Sequence, residues 1–542
     1  MLGFNTTLTA QRSASAPGPV VLATPSPVTH RTAEENLGLG YLAAYLREAG
    51  YEVTVADGWL EGLDVGALAA RIAEAGPVLL GFACYRSNMT RAIETMRLVR
   101  EAGARPFTVA GGYGPTFHTA DFLDAGFDAV IRGEGELPLR MLADHVTGQD
   151  GAPELGAIPG LSWRQPDGPA QHNAQPAPKL PLDELPHPHR DTLHLTLARR
   201  SLVHIQTARG CQATCTFCSI VAFERVGGGP AWRQRGIKDI ADELESLWSL
   251  GARHFKVIDD SLVEPPRDAG WCADLADELS ARGVRARLRG SIRADRADAE
   301  VVRELARAGF FSFSCGIENY SASALRRMAK RADVGQNHAA LDRFQEHGIY
   351  VQAGHILFDD RTSLDELEDN YAGMRRYPWT ISKGIFTEMY AAAGTSFTRR
   401  LTKRGALEVD RDSLGNSRYD VLDPRVRPVY RALKHWQKTH SRIYDKAIDP
   451  LSAPKALDAG ELALLHRLYL DLRRVDLDLF RLLLDAAGGR TATDRLDAEL
   501  DELVRTEIER TAAWYTRFDG RVEEAYRAVG LVYDADENPF LC

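Results

Sequence analysis

Cysteine is scarce in this chain: seven in 542 residues, too few for the disulfide framework of a secreted protein. Positive charge is not in excess either. Lys and Arg number 66 against 75 Asp and Glu, a net charge of −9. That argues against a general nucleic-acid or membrane-surface binder and leaves room only for a local basic patch. No apolar run approaches the roughly 18–20 residues of a spanning helix. The first twenty residues are polar and rich in Ser, Pro and Ala, so no secretory signal is expected. Cys542 is the last residue, whereas a prenylation box needs its Cys four from the end. No G-x-G-x-x-G follows the first expected strand, and no G-x-x-x-x-G-K-[ST] occurs. The expectation is a cytoplasmic protein of several domains, with no membrane or nucleic-acid partner.

What is present is alternation. Across residues 18–145, strand-like runs ("PVVLATP", "YEVTVAD", "PVLLGFAC", "PFTVAGG", "DAVIRGEGE") alternate with helical patterns such as "LGLGYLAAYLREAG". That rhythm predicts an open, parallel, Rossmann-like sheet, which binds ligands outside the carboxyl ends of its strands. The strand-end strings "TPSPVTHRT", "CYRSN", "GGYGPT" and "RGEGE" are rich in Gly, Pro and polar residues, as a ligand-facing edge requires. Residues 146–200 lose periodicity ("HNAQPAPKLPLDELPHPHR") and read as a surface linker. Residues 201–400 resume the alternation. Six strand-like stretches, from "LVHIQTA" to "TISKGIFTEMY", suit a partial (β/α)6 barrel with its chemistry at the C-terminal strand ends. Residues 401–542 space their apolar residues as helices and read as a helical domain. The fold class is α/β.

Three of the seven cysteines fall inside eight positions, in "ARGCQATCTFCSI", residues 208–220. At this cysteine frequency the spacing arises by chance in about one sequence in a thousand. Taken alone, the residues leave three options. Structural zinc wants four tetrahedral ligands, and His204, which could complete the set, belongs to the preceding strand. A Cys215–Cys218 redox pair leaves Cys211 unexplained. An iron–sulfur cluster on three thiolates leaves one iron open to a substrate or cofactor.

The spacing C-x3-C-x2-C, with aromatic Phe217 before the last cysteine, resembles that of the radical S-adenosylmethionine (SAM) enzymes. The resemblance implies a 4Fe-4S cluster on Cys211, Cys215 and Cys218, with SAM on the open iron and Phe217 beside it. Later strings fit the same superfamily in order. "VIDDSL" would bring Asp259 and Asp260 near the SAM amino group, and "GSIRAD" would bring Ser291 and Arg293 to its carboxylate. "CGIENYSASALRRMAK" would bring Glu318 to the ribose or amino-acid moiety. "AGHILF" and "YAAAGTSF" resemble the fifth-strand and sixth-strand regions, with Ala393 where the family usually has Pro.

Upstream, "LGLGYLAAYL", "GGYGPT" and "RGEGE" resemble the cobalamin-binding class of that superfamily. The resemblance implies that Gly111, Gly112, Tyr113, Gly133, Glu134 and Glu136 face the corrin or its nucleotide tail, where glycine lets the backbone approach closely. The Asp-x-His-x-x-Gly cobalamin motif is absent, which implies a base-off cobalamin with Arg86 beneath the corrin. His355, Glu388 and Tyr390 are the candidate substrate contacts. The implied function is C-methylation of a small natural-product scaffold, using methylcobalamin and a 5′-deoxyadenosyl radical. Cyclisation, rearrangement and polar methyl transfer are the alternatives. The implied partner is a flavodoxin-like or ferredoxin-like electron donor, and the chain is expected to act as a monomer.

Overall fold

The computed structural model describes residues 18–27, 34–165, 168–410, 414–452, 455–488 and 494–531. Most of the expected ligand-facing string "TPSPVTHRT", from residue 28 on, and Cys542 lie outside them.

The first sheet holds β1 (Val20–Thr24), β2 (Val53–Asp57), β3 (Leu79–Ala83), β4 (Phe107–Gly111) and β5 (Ala129–Ile131), parallel and in the order β2-β1-β3-β4-β5. Helices cover both faces, and β1 is buried along its whole length, which is why its sequence is a continuous apolar run. The strand order reverses between β1 and β3, so a ligand crevice is expected beyond their carboxyl ends.

Part of the stretch expected to be a linker is ordered sheet. Leu161–Arg164 (β6) and Ala170–His172 (β7) extend the sheet past β5 as antiparallel strands. At four and three residues they are too short to register as a periodic run among the surrounding prolines.

The second sheet is parallel, in the order β14-β13-β12-β11-β8, from β8 (Val203–Ile205), β11 (His254–Val257), β12 (Arg287–Arg293), β13 (Phe310–Glu318) and β14 (Tyr350–His355). A small antiparallel ladder, β9 (Ala208–Gly210) with β10 (Trp232–Gln234), stands beside it. The expected sixth strand is reduced to two isolated bridges, Gln352↔Ile381 and Phe358↔Glu388. Between them the Ser382 hydroxyl donates to the Gly384 carbonyl at 2.9 Å and Gly384 takes φ +69°, so the chain bends away where a ladder would continue. Helices start where the sequence supplies a cap: Asp64, Asp268, Asp298 and Asp333 each accept from the backbone N–H three residues on.

Both open edges of this sheet are sealed from elsewhere in the chain. At β8, Glu35 accepts from the His204 N–H at 3.3 Å, and Glu34 pairs with Lys256 of β11 at 2.8 Å. Past β14, the helix Ala459–Ala487 reaches the bent segment: the Ser382 N–H donates to the Tyr469 hydroxyl, which donates to the Thr380 carbonyl. The helices Val426–Thr439, Ala459–Ala487 and Asp494–Ala528 share one continuous apolar core with the second sheet. Among the described residues no helix is long and apolar enough to cross a membrane.

Candidate functional site

The cysteine loop is fixed at both ends. Cys211 follows β9, and its N–H donates to the Ala231 carbonyl at 3.0 Å. The residue before it must be glycine: Gly210 has φ +85°, and a Cβ there would overlap that same carbonyl. In the middle, the Thr216 N–H donates to Met328 O at 2.9 Å and the Phe397 N–H donates to Thr216 O at 2.8 Å. Phe217, expected beside SAM, packs against the apolar cluster of Ala324, Met328, Met389, Phe397 and Leu401 and anchors the loop. Cys218 opens the helix Ser219–Glu224.

All three thiols are free. Burial pushes Cys211 up to about 12 and raises Cys215 and Cys218, so an iron that binds them must displace protons. Among the described residues no three His, Cys, Asp or Glu side chains converge as ligands of a single ion. Three soft sulfur donors on one loop fit a cluster, in which each thiolate holds a different iron.

The strand ends beside the loop carry one prominent ion pair. Glu318, at the end of β13, sits at φ +62° beyond a register shift, and Lys330 donates to its Oε1 at 2.9 Å. Gly316 makes room: a Cβ there would lie 2.5 Å from Glu318 Oε1 and 2.7 Å from Lys330 Nζ. The pair is close enough to Cys215 for its charges to act on the thiol in opposite senses. Asp260 accepts from the Gly210 N–H at 3.2 Å, and burial lifts its carboxyl to about 7.

Other expected SAM contacts are engaged differently. Asp259 takes the Thr207 backbone and hydroxyl and lies 3.6 Å from Arg267, which pins the end of β8. Arg293 is spent on Glu264 at 2.9 Å and on both oxygens of Asp295. Ser291 is half-buried in β12, in register with Ser314 of β13.

Between the two sheets lies a cavity of about 520 Å³. From the first half it is lined by the ends of β3, β4 and β5, including Arg86, Gly111, Gly112, Tyr113 and Gly133. From the second it is lined by Asp260, Gln206, Arg209 and the helix after Cys218. Gly112 has φ +95°, and a Cβ there would meet the Cys84 carbonyl oxygen at 2.7 Å, so the floor is bare backbone. A large flat ligand fits such a floor.

Glu134 and Glu136 reach this wall, but their carboxylates are latched. Arg209 donates to Glu136 at 2.7 Å and to Glu134 at 3.2 Å, Arg233 donates to Glu134, and the Arg209 guanidinium lies 5.0 Å from the Tyr41 ring. Arg86 donates to Asn416 at 2.6 Å and stacks 4.4 Å over the Tyr390 ring. The Tyr390 hydroxyl donates to the Gly415 carbonyl, and the Tyr113 hydroxyl donates to the Ala393 carbonyl at 2.8 Å.

The expected substrate contacts scatter. Glu388 accepts from the Tyr430 hydroxyl and lies 3.6 Å from Lys434, with 39% of its side chain exposed. A Cβ on Gly354 would face Glu318 Oε2 at 3.5 Å, so His355 turns to the opposite face of β14. There it packs 5.5 Å from the Tyr320 ring, neutral because burial pushes its imidazolium down to about 3. Of the three, only Tyr390 touches the cavity wall, through Arg86.

Sequence reasoning did not pick out Arg209, Arg233, Lys330 or Arg473. Arg473, on the helix Ala459–Ala487, is 1% exposed, donates to Ser382 and Gly384, and leaves Nε and Nη2 without a partner among the described residues. Arg209 and Lys330 each lie inside a quoted motif. Nothing in the strings says which carboxylates they meet.

Comparison with known proteins follows the same division. Residues 28–143 match the B12 binding domain family and residues 205–370 the Radical SAM superfamily. An uncharacterized methyltransferase of Pyrococcus horikoshii is 27% identical over 334 residues, 60% of this chain and 70% of that protein. The anaerobic magnesium-protoporphyrin IX monomethyl ester cyclase of Rubrivivax gelatinosus is 25% identical over 65% of each chain, so this chain spans about two thirds of the length of these relatives. Among solved structures, the cobalamin-dependent S-adenosylmethionine radical enzyme OxsB, with aqua-cobalamin and S-adenosylmethionine bound, superposes with a TM-score of 0.75 at 18% identity, covering 96% of this chain and 82% of that one. The chain thus joins a B12 binding domain to a Radical SAM superfamily domain that follows it, with one cavity walled by both.

Proposed function

We propose that the protein is a radical SAM methyltransferase that uses cobalamin on a small-molecule substrate. The cavity shared by the two halves carries this reading, because its first wall is the strand ends of the B12-binding half and its second includes Arg209, just before the cysteine loop, and the helix that follows Cys218. When bound, the cluster, SAM and methylcobalamin supply a hydrogen-abstracting radical and a transferable methyl group.

The chain's own residues do the rest. Cys211, Cys215 and Cys218 hold the cluster. Lys330 and Glu318 offer a fixed ammonium and carboxylate beside Cys215, suited to the zwitterionic end of SAM, and Lys330 takes the part expected of Arg293. Asp260, with its carboxyl lifted to about 7, can accept or release a proton near neutrality. Gly111, Gly112 and Gly133 give the flat ligand its floor, with Arg86 at the rim. The arginine latch on Glu134 and Glu136 holds the two halves together, which keeps water from a radical step.

Anaerobic reconstitution with iron, sulfide and cobalamin, followed by SAM and reductant, tests this. The expected product is 5′-deoxyadenosine, and Cys215→Ala should lose both visible absorbance and SAM cleavage. A variant that keeps both refutes the cluster assignment, and S-adenosylhomocysteine alone points to polar methyl transfer. The similarity to a cyclase favours ring closure as the second reading. A substrate that loses hydrogen without gaining a methyl group would select it.

A further inference from the structure

Arg473 is a buried charge that the fold meets only in part. On the helix Ala459–Ala487, its Nη1 donates to Ser382 Oγ at 3.1 Å and to the Gly384 carbonyl at 3.2 Å. Nε and Nη2 have no partner among the described residues, and no ion pair is formed there. Asp476, one turn along the same helix, is taken by the Trp436 indole and the Tyr444 hydroxyl instead. The Gln437 amide lies at the Cβ position of Gly384 with its own Oε1 unpartnered, but a neutral dipole does not balance a charge. Other buried arginines are better served. Arg267 lies 3.6 Å from Asp259, and the terminal nitrogens of Arg289 reach oxygens of Ser312, Leu451, Ser314 and Gln352.

Two more orphaned groups accompany it. His355, at the end of β14, is 8% exposed, and neither ring nitrogen has a partner among the described residues. The hydroxyl of Tyr320, just past β13, is equally without one, and that residue is 4% exposed. The two rings lie 5.5 Å apart, and Tyr320 fits there because Gly373, on the helix Leu364–Arg376, has no Cβ to overlap it. Burial raises the Tyr320 hydroxyl and lowers His355, and the Arg473 charge is the next influence on each. Neutral His355 has one N–H to give, Tyr320 one O–H, and Arg473 the hydrogens on Nε and Nη2. Donors therefore outnumber acceptors in this cluster, and its charge is positive.

We propose that Arg473, His355 and Tyr320 bind a small monovalent anion of the halide class, in the seam between the second sheet and the C-terminal helices. One guanidinium calls for one negative charge, and an excess of donors calls for a ligand that only accepts. Chloride meets both demands, whereas a neutral water that also donates meets neither. The ion ties Arg473 to the end of β14, where Gly354 faces Glu318 Oε2 at 3.5 Å on the opposite side of the strand. It therefore couples the C-terminal helices to the wall that carries the Glu318–Lys330 pair. The inference goes beyond the reaction proposed above and stands independently of it. Binding to the native state alone raises stability as the free anion passes its dissociation constant.

The test follows thermal unfolding of the full chain while sodium gluconate is exchanged stepwise for sodium chloride at constant ionic strength. The expected result is a saturating rise of about 2 °C or more in the melting midpoint, reproduced with bromide. Arg473→Met removes the charge at similar length and should melt at the same midpoint in both salts, because a buried apolar side chain needs no counter-ion. Crystals of the wild type grown in bromide should show an anomalous peak among Arg473, His355 and Tyr320. A wild-type midpoint indifferent to chloride overturns the proposal, as does a seam without that peak, and the cluster is then left to solvent. A chloride-dependent rise that persists in Arg473→Met places the ion elsewhere and overturns it too. Should that variant fail to fold, the wild-type titration and the bromide peak decide.

Discussion

Backbone strain marks the site residue by residue. Among the described residues three that are not glycine take positive φ, and two of them, Glu318 and Ala329, frame the single ion pair Glu318–Lys330. Strain of this kind persists only where surrounding contacts over-determine it, and it gathers at functional positions. The neighbouring glycines show the same pressure from the other side. Gly112 combines φ +95° with a Cβ position 2.7 Å from Cys84 O, and here the obstacle is backbone, which cannot swing away. Gly112→Ala is therefore expected to cost about 1–3 kcal/mol of stability and to abolish retention of cobalamin on gel filtration. Thermal unfolding and the visible spectrum of the eluted protein check this, and an unchanged melt with cobalamin still bound would refute the floor assignment.

At the scale of elements, the C-terminal helices behave as the missing side of the second sheet rather than as an appendage. Their core is continuous with the strands. One buried polar cluster locks them together: Asp476 accepts from the Trp436 indole N–H at 3.0 Å and from the Tyr444 hydroxyl. Burial raises the Asp476 carboxyl from 3.8 to about 6. The folded protein therefore keeps this proton up to about pH 6, whereas the unfolded chain releases it near pH 4. Between those values the native state binds more protons, so stability falls as pH rises through the window and levels off above it. The change from this group amounts to up to about 3 kcal/mol. Asp476→Asn should remove that slope, measured as urea unfolding free energy at about pH 4 and about pH 7. A variant whose pH slope matches the wild type would show that Asp476 is not the titrating group.

At the scale of the whole molecule, the two sheets are joined through their chemistry. Arg209 lies two residues before the first cysteine and grips Glu134 and Glu136, some 75 positions away in the chain. Arg209→Ala should leave the cluster and dithionite-driven SAM cleavage in place. It should weaken cobalamin binding by about tenfold or more, because two buried carboxylates lose a partner. It should also speed hydrogen exchange across residues 133–136 and 206–210. Unchanged exchange and affinity would rule out a coupling role. The sequence by itself determined the local grammar: the three thiols and their spacing, the strand–helix rhythm of both halves, and the glycines of "GGYGPT" and "RGEGE". Each of these depends on residues a few positions apart, where backbone sterics and hydrogen bonding act directly. Only the tertiary structure decided that β6 and β7 extend the first sheet, that the sixth strand bends away at Gly384, that Arg293 is consumed by acids while Lys330 stands free to serve Glu318, and that His355 faces the helices. Those outcomes depend on which charges and edges meet across tens to hundreds of residues, where burial forces every ion to find a partner and a sequence read locally holds no record of which one it finds.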